Sequence, residues 1–538
     1  MNFINLSFEN KICILPSSMN IKHPISLVRY KKDLRIADHK PLYEACQQNF
    51  SVVALYVREP HIMQGSDYSH FHQYRIQESL KDLKSSLKKL NIPLLMIHGE
   101  MTEALDQIQN YYTIDTMYAH EETGNNLTYQ RDLSVIRYCQ SHKFKLIEYP
   151  HNGVVRRLQS RDSRSPIQRE RMSQPLIDIP WVQSCYELDE QLILYAKQSF
   201  VSFVAAKKPS TWSHQRDQPG ETSAHVRLSY FLTHAGPYRY ALSRPEQSVS
   251  ASSRLSWYLT YGNLSAKQIH QATFTQIKYL ASQPNKSSSL TRDIASLNAF
   301  YQRLFWRCHF IQKLESQSSI EYHNQNKAFD TIRTETNHDL IQARYHGQTG
   351  IPMIDAGMRC LHATGWINFR MRATLTSFIC NTCMQPWQAI WPMLAKLFLD
   401  YEPGIHYSQL QMQSGTTGIN TIRIYNPLKQ IQEKDSDLTF VRRWIPEIVW
   451  LDHEEIFQLG TETGNILLLT KSINYPSAII DIITANRLAR IALRWVKKTD
   501  ESKTEAQKVY NKLWSRKKST RKTSRKDKPV VIPDNLFS

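Results

Sequence analysis

The chain has 538 residues, enough for two to four domains and a substantial buried core. Hydrophobic residues make up 41% and aromatics 11%, and the cysteines number eight. No apolar run approaches the ~18 residues that span a bilayer. These figures exclude a disordered chain, an integral membrane protein and a disulfide-stapled scaffold, and they point to a reducing, cytoplasmic setting. The net charge of +19 is unevenly spread, because Arg494 to Lys528 holds fourteen Lys/Arg against four Asp/Glu, a net +10. Such a stretch is either a solvated terminus or an arm for a polyanion, nucleic acid foremost.

Residues 1–21 match no element and stand as an unplaced N-terminal extension. Residues 22–150 alternate between short apolar runs and helical segments. Strands are expected at Ile25–Tyr30, Ser51–Val57, Pro93–Gly99, Ile114–His120 and Phe144–Tyr149. The clearest helix covers 67–90, where Ile76, Leu80, Leu83, Leu87 and Leu90 form one stripe. This alternation predicts an α/β domain built on a doubly wound parallel sheet. The first strand runs into Arg29-Tyr30-Lys31-Lys32-Asp33-Leu34-Arg35 and not into G-x-G-x-x-G, which disfavours a nicotinamide dehydrogenase.

Residues 151–190 form an Arg-rich connection containing Arg156, Arg157, Arg161, Arg164, Arg169 and Arg171. From 191 to 497 the segments become long and helix-periodic, at 294–315, 353–363, 366–384, 388–399 and 477–497. Gly236-Pro237, Gly350, Pro352, Glu402-Pro403-Gly404 and Asn426-Pro427 punctuate them, so a large all-α domain is expected. Residues 498–538 read as a basic, disordered tail.

Cys380-x-x-Cys383 lies in an apolar helical run without a second ligand pair, so it reads as structural and no metal site is expected. Neither G-x-S-x-G nor G-x-x-x-x-G-K-[ST] occurs, which argues against a serine hydrolase and a P-loop enzyme. Three polar clusters stand out in the helical domain. Ser252-Ser253-Arg254-Leu255-Ser256 opens a helix, where hydroxyls and free N–H groups suit a phosphate, although serine-rich helix starts are more often simple caps. Trp306-Arg307 sits mid-helix among aromatics. Arg370 and Arg372 enter an apolar helix, and a buried arginine needs a carboxylate, for which Asp400 and Glu402 are the candidates.

Five ordered motifs together are similar to the cryptochrome/photolyase family of FAD-binding blue-light proteins. They are Asp33-Leu34-Arg35 with Asp38, Ser252–Ser256 with Leu259, Gly262, Leu264 and Ser265, Gly347–Arg359, Thr364-Gly365-Trp366, and Arg423–Pro427. The resemblance covers about 22–496. It implies a folded FAD inside the helical domain, with Ser252, Ser253, Leu255 and Ser256 at the diphosphate and Tyr240 and Arg307 as further contacts. It also implies an Arg372–Asp400 pair beside the flavin, Glu402 near the ribityl and adenine region, and His406 nearest flavin N5, where a His donates or withholds a proton.

In the family's repair enzymes reduced, excited flavin gives an electron to a pyrimidine dimer flipped out of DNA. The resemblance therefore implies a deoxyribodipyrimidine photolyase, a carbon–carbon lyase, acting on UV-damaged DNA as a monomer. Trp306 matches the tryptophan on which the dimer packs. Arg303 stands where cyclobutane-dimer enzymes carry Glu, and Phe369 where they carry Asn. The (6-4) enzymes carry His at the positions of Phe369 and Ala373. Trp387 matches the middle member of the family's tryptophan wire. Its flavin-proximal partner falls at Gln409 or Leu410 and its distal one near Thr334, leaving Trp391, Tyr401 and Tyr407 as other aromatics. These departures support the alternative of a light sensor that binds FAD without repair. The family's antenna pigment, a folate or deazaflavin, is not specified by the sequence, although His120–Gly124 ends a strand where a ligand fits.

Overall fold

A computed structural model describes residues 22–182, 187–201, 218–284 and 287–513. Five parallel strands, β1 (His23–Tyr30), β2 (Ser51–Arg58), β3 (Leu94–His98), β4 (Tyr112–His120) and β5 (Lys145–Tyr149), form one sheet in the order β3-β2-β1-β4-β5. Both faces are covered, which is why the strands read as unbroken apolar runs. The His70–Lys89 helix packs Leu80, Leu83 and Leu87 on one face, beside Val28 and Ala54. The Met101–Tyr111 helix packs Ala104, Leu105 and Ile108 on the other, beside Leu27 and Leu55. Strand order reverses between β1 and β4, so the crevice at their C-terminal ends is the sheet's switch point.

Two domain expectations need correction. The sequence places residues from 191 onward in the helical domain, but in the Glu190–Val201 helix Leu192 and Ala196 join Leu95 and Ile97 in the sheet's core, and Ser199 Oγ accepts the His98 N–H at 3.1 Å. At the other end, the tail is not disordered from 498. An Asp500–Leu513 helix follows the Ile482–Lys498 helix, buries Ser502, Val509 and Leu513, and receives Asn326 Nδ2 on the Ser502 carbonyl at 2.9 Å. Its apolar residues are sparse, which hid it within a charged stretch. The 151–190 connection also holds a helix, Arg164–Ser173. Residues 1–21 and 514–538 lie outside the described residues.

The rest is helical, as the periodicity predicts. The longest element, Ser288–Ser316, starts on a Ser287 cap and buries Leu297, Phe300, Leu304 and Ile311. The 366–384 run begins only at Phe369, where the Asn368 side chain accepts the Met371 N–H, and after Ser377 it widens into a π-turn over Phe378–Thr382. Cys380 and Cys383 are buried there. Among the described residues no helix is long and apolar enough to cross a membrane.

The domains are joined by the loop after β1. The Leu34 N–H donates to the Tyr261 carbonyl (3.0 Å), Arg35 donates to the Gly262 carbonyl (3.0 Å), and Asn263 Nδ2 donates to the Leu34 carbonyl (3.1 Å). The Glu221 carboxylate accepts the Ile36 and Ala37 N–H groups at 2.8 and 3.0 Å. Gly262 is required at this contact. Its φ is +67°, and a Cβ would run into the Lys32 carbonyl and the Asp33 backbone. Gly262→Ala is therefore expected to cost about 3 kcal/mol, seen as a lower urea midpoint. An unchanged midpoint would show that the contact yields freely.

Candidate functional site

The site is built on the turn between the Trp391–Leu397 and Pro403–Ser414 helices. Arg372, on the Phe369–Ser377 helix, places Nη2 3.0 Å from Asp400 Oδ1 and 3.1 Å from Oδ2. Its Nε donates to the Ile367 carbonyl at 3.0 Å, and the guanidinium lies 4.3 Å from the Phe398 ring centroid. Arg307, on the long helix, donates to Glu402 Oε2 at 3.0 Å and to the Leu259 carbonyl at 3.4 Å. Both pairs are largely removed from water, where an unpaired partner is costly. The Ser256–Thr260 helix is tied to the same turn, since Thr260 Oγ1 donates to the Asp400 carbonyl (3.3 Å) and Tyr261 Oη to the Leu399 carbonyl (2.8 Å). The sequence-predicted Arg307, Arg372, Asp400, Glu402 and His406 are thus brought to one region, and the helix that Ser256 opens is tied to it.

Polar groups there lack protein partners. Ser252 Oγ, Glu402 Oε1 and Asn368 Nδ2 are buried without one. A buried polar group normally has a partner, so these three fit a ligand rich in hydrogen-bonding groups, as a dinucleotide is; buried groups elsewhere, among them the Arg344 guanidinium, also lack one. Arg227 holds the 252–256 segment by donating to the Ser252 carbonyl (2.7 Å) and the Ser253 carbonyl (2.8 Å). Leu255 packs in the core.

His406 is buried, with Nε2 3.1 Å from the Trp391 carbonyl. A carbonyl only accepts, so Nε2 carries the proton and Nδ1 presents a lone pair. Burial pushes this imidazole from its ordinary value of 6.5 down to about 3. At neutral pH its single proton is committed to Trp391, so the group withholds a proton and accepts a hydrogen bond.

Tyr240 does not join the site. Its ring is 68% exposed with Arg244 stacked 5.3 Å away, because the core-facing position of the Tyr238–Ala241 helix is Tyr238. Trp306 is 45% exposed on the long helix, packed against His309 and Phe310. Arg303, one turn earlier, and Phe369 are half-buried. Trp387 is buried and donates Nε1–H to Asn324 Oδ1 at 2.7 Å. Its ring is 6.3 Å from that of Tyr407, which lies 5.3 Å from Trp391.

Sequence reasoning missed a buried cluster at the switch point. Asp33 Oδ2 accepts from His39 Nε2 (3.0 Å) and His120 Nδ1 (2.8 Å), and Oδ1 accepts the Lys31 N–H (2.7 Å). Burial pushes the Asp33 carboxyl up, but the hydrogen bonds from His120 and His39 outweigh it and hold it well below the usual range. Among the described residues this is the one group spaced like metal ligands. However, His39 Nδ1 accepts the Leu42 N–H at 3.1 Å as a helix cap. The proton is therefore on Nε2, which makes it a donor to Asp33 and not a ligand. The signal was the adjacency of β1 and β4, which brings His120 beside the β1 loop. His120 also lines an interdomain crevice with His151, Lys31, Arg307 and Glu402.

The His406 shift fixes a pH dependence. An unfolded His titrates near 6.5 and the folded one near 3, so the unfolded chain holds the extra proton between those values. Stability is full above about pH 6.5 and falls as pH drops toward 3, by at most about 1.4 kcal/mol per unit for each such group. Urea midpoints at pH 7, 6 and 5 are expected to fall less steeply in His406→Gln than in the parent chain. Equal slopes would contradict the assignment.

The comparisons with known proteins bear on the family and the fold. The family model described as the FAD binding domain of DNA photolyase matches residues 300–494, and that described as DNA photolyase matches 26–166. The chain is 24% identical to a cryptochrome DASH from Gloeobacter violaceus, over 85% of this chain and 93% of that protein. It is also 24% identical to a deoxyribodipyrimidine photo-lyase from Salmonella typhimurium, over 87% and 97%. Among solved structures, a bacterial class III photolyase from Agrobacterium tumefaciens matches with a TM-score of 0.72 at 22% identity, covering 90% of this chain and 100% of that one. The helical domain is an FAD-binding domain, and the chain belongs to the cryptochrome/photolyase family.

Proposed function

We propose that this chain is a light-driven DNA photolyase, a carbon–carbon lyase that repairs a UV-induced pyrimidine dimer flipped out of the duplex. The observation that carries the reading is the pairing of Trp306 with Arg307. One residue turns to water as an exposed indole, and the next turns inward to the Glu402 pair. A base entering from solvent would therefore stack within one residue of the cofactor region. Stacking is worth ~1–3 kcal/mol, enough to offset part of the few kcal/mol needed to flip a damaged pair.

In this reading Ser252, Ser253, Leu255 and Ser256 hold the diphosphate, Arg372 and Asp400 flank the ring system, and Glu402 with Arg307 closes the other side. His406 offers Nδ1 as an acceptor, which favours a partner presenting N–H over one presenting a lone pair. FAD held there, once reduced and excited, would lend the dimer an electron and take it back after the bonds between the pyrimidines break, so that no net oxidation occurs. Arg303, one turn before Trp306 on the same helix, offers a cation suited to a backbone phosphate, and the half-buried Phe369 an apolar ring suited to a base face. The basic 514–528 stretch supplies sequence-independent attraction to DNA.

A second reading, a blue-light sensor without repair, is favoured by one observation. The flavin-proximal wire position falls at Gln409 or Leu410, neither of which is aromatic. The deciding experiment gives the reduced protein, under blue light and in the dark, oligonucleotides carrying a cyclobutane dimer or a (6-4) product. Light-dependent repair of one lesion is expected, and Trp306→Ala should weaken lesion binding about tenfold while retaining FAD. Absence of repair of either lesion, with FAD bound and photoreducible, would favour the sensor.

A further inference from the structure

A column of four side chains crosses the domain boundary. The Arg254 guanidinium carbon lies 4.2 Å from the Trp366 ring centroid and 4.6 Å from that of Trp257, and the Arg75 guanidinium carbon lies 4.4 Å from Trp257. Ring and cation thus alternate in the order Trp366, Arg254, Trp257, Arg75, and all four are buried. Away from water a cation over an indole face is held most strongly. Trp366 is aimed by Gly365, whose φ of +68° caps the preceding helix. Arg75 belongs to the His70–Lys89 helix of the α/β domain.

Arg254 is also the backbone anomaly of the serine segment, with φ +57° in a non-glycine residue. Leu255 follows in the right-handed region. Adjacent residues of opposite hand turn successive N–H groups to one side and form an anion-binding concavity. Such strain persists only when its surroundings impose it. Here the surroundings are the slot between two indoles, together with Arg227 on the Ser252 and Ser253 carbonyls. Ser252 Oγ, buried and without a protein partner, belongs to this turn. One wall of the slot, Trp257, is backed by Arg75 from the other domain.

We propose that Arg75 is a positioning residue for the cofactor. Through Trp257 and Arg254 it fixes the left-handed turn of the diphosphate segment, so FAD binding and the seating of the His70–Lys89 helix are one coupled equilibrium. The inference rests on the reading that residues 252–256 form the diphosphate cradle. It predicts that a change in the α/β domain, outside that segment, alters flavin affinity.

The test uses the full chain, stripped of FAD and reconstituted. Amide exchange over 70–89 is expected to slow when FAD is loaded. Arg75→Gln should abolish that slowing and weaken FAD binding on the order of tenfold, whereas Trp257→Phe, which keeps a ring, should stay within about threefold. Ser252→Glu, which puts a like charge in the cradle, serves as the control and should lose FAD. If Ser252→Glu binds FAD normally, the cradle reading fails and the proposal with it. If Ser252→Glu loses FAD while Arg75→Gln binds it like the parent chain, the proposal alone is overturned. Should Arg75→Gln not fold, the parent chain decides, because exchange over 70–89 that ignores FAD would also overturn it.

Discussion

Charge removed from water must be partnered, and the helical domain is organised around that requirement at one turn. Asp400 and Glu402, two residues apart, draw Arg372 from one helix and Arg307 from another. The same turn receives hydrogen bonds on the Leu399 and Asp400 carbonyls from Tyr261 and Thr260. His72 of the α/β domain donates to the Phe398 carbonyl at 2.9 Å. Gly404 then lets the following helix approach the long helix closely, since a Cβ there would press on the Ile311 backbone. Each element that carries a flavin-facing candidate is thus fastened to the turn, and its partners could not be lost singly without stranding a buried charge.

The second constraint is the sheet's switch point. The loop after β1 serves both domains at once. Its Leu34 and Arg35 grip the 261–263 backbone, while Asp33 collects two imidazoles and a backbone N–H. Burial pushes the His120 imidazole down to about 3, so at neutral pH the cluster contains one carboxylate and neutral rings. The α/β domain is therefore not a passive neighbour of the flavin domain. It supplies the crevice wall next to Arg307 and Glu402 and, through Arg75, one end of the column behind the serine segment.

How much of this was legible depended on whether the signal was local. The five strands and the main helices were readable because apolar period is a local property. The Arg372–Asp400 pair was readable because an arginine in an apolar run demands a carboxylate, whereas the partner of Glu402 was not, since it is Arg307 from the long helix and not Arg370, which lies over the Tyr425 ring. The Gly347–Arg359 motif was recognised, but its physical role was not. Asp355 is fully buried and accepts from Thr349, Gly350 and Tyr475, which locks a turn against a segment over a hundred residues away. The Asp33 cluster and the indole–guanidinium column were invisible for the same reason, since each joins residues distant in sequence. Tyr240 failed at the finest scale, where a shift of two residues on a short helix exchanges core for solvent.

The central claim is that the Arg372–Asp400 pair forms one wall of the flavin cradle. The most direct test is the flavin absorption spectrum and stoichiometry of purified Arg372→Ala, with circular dichroism confirming that the chain is folded. Removing the guanidinium leaves Asp400 buried and unpaired, at a cost of several kcal/mol. The account predicts a folded, colourless protein that recovers flavin only weakly when FAD is added back. A yellow protein with one FAD per chain and an unaltered spectrum would contradict it.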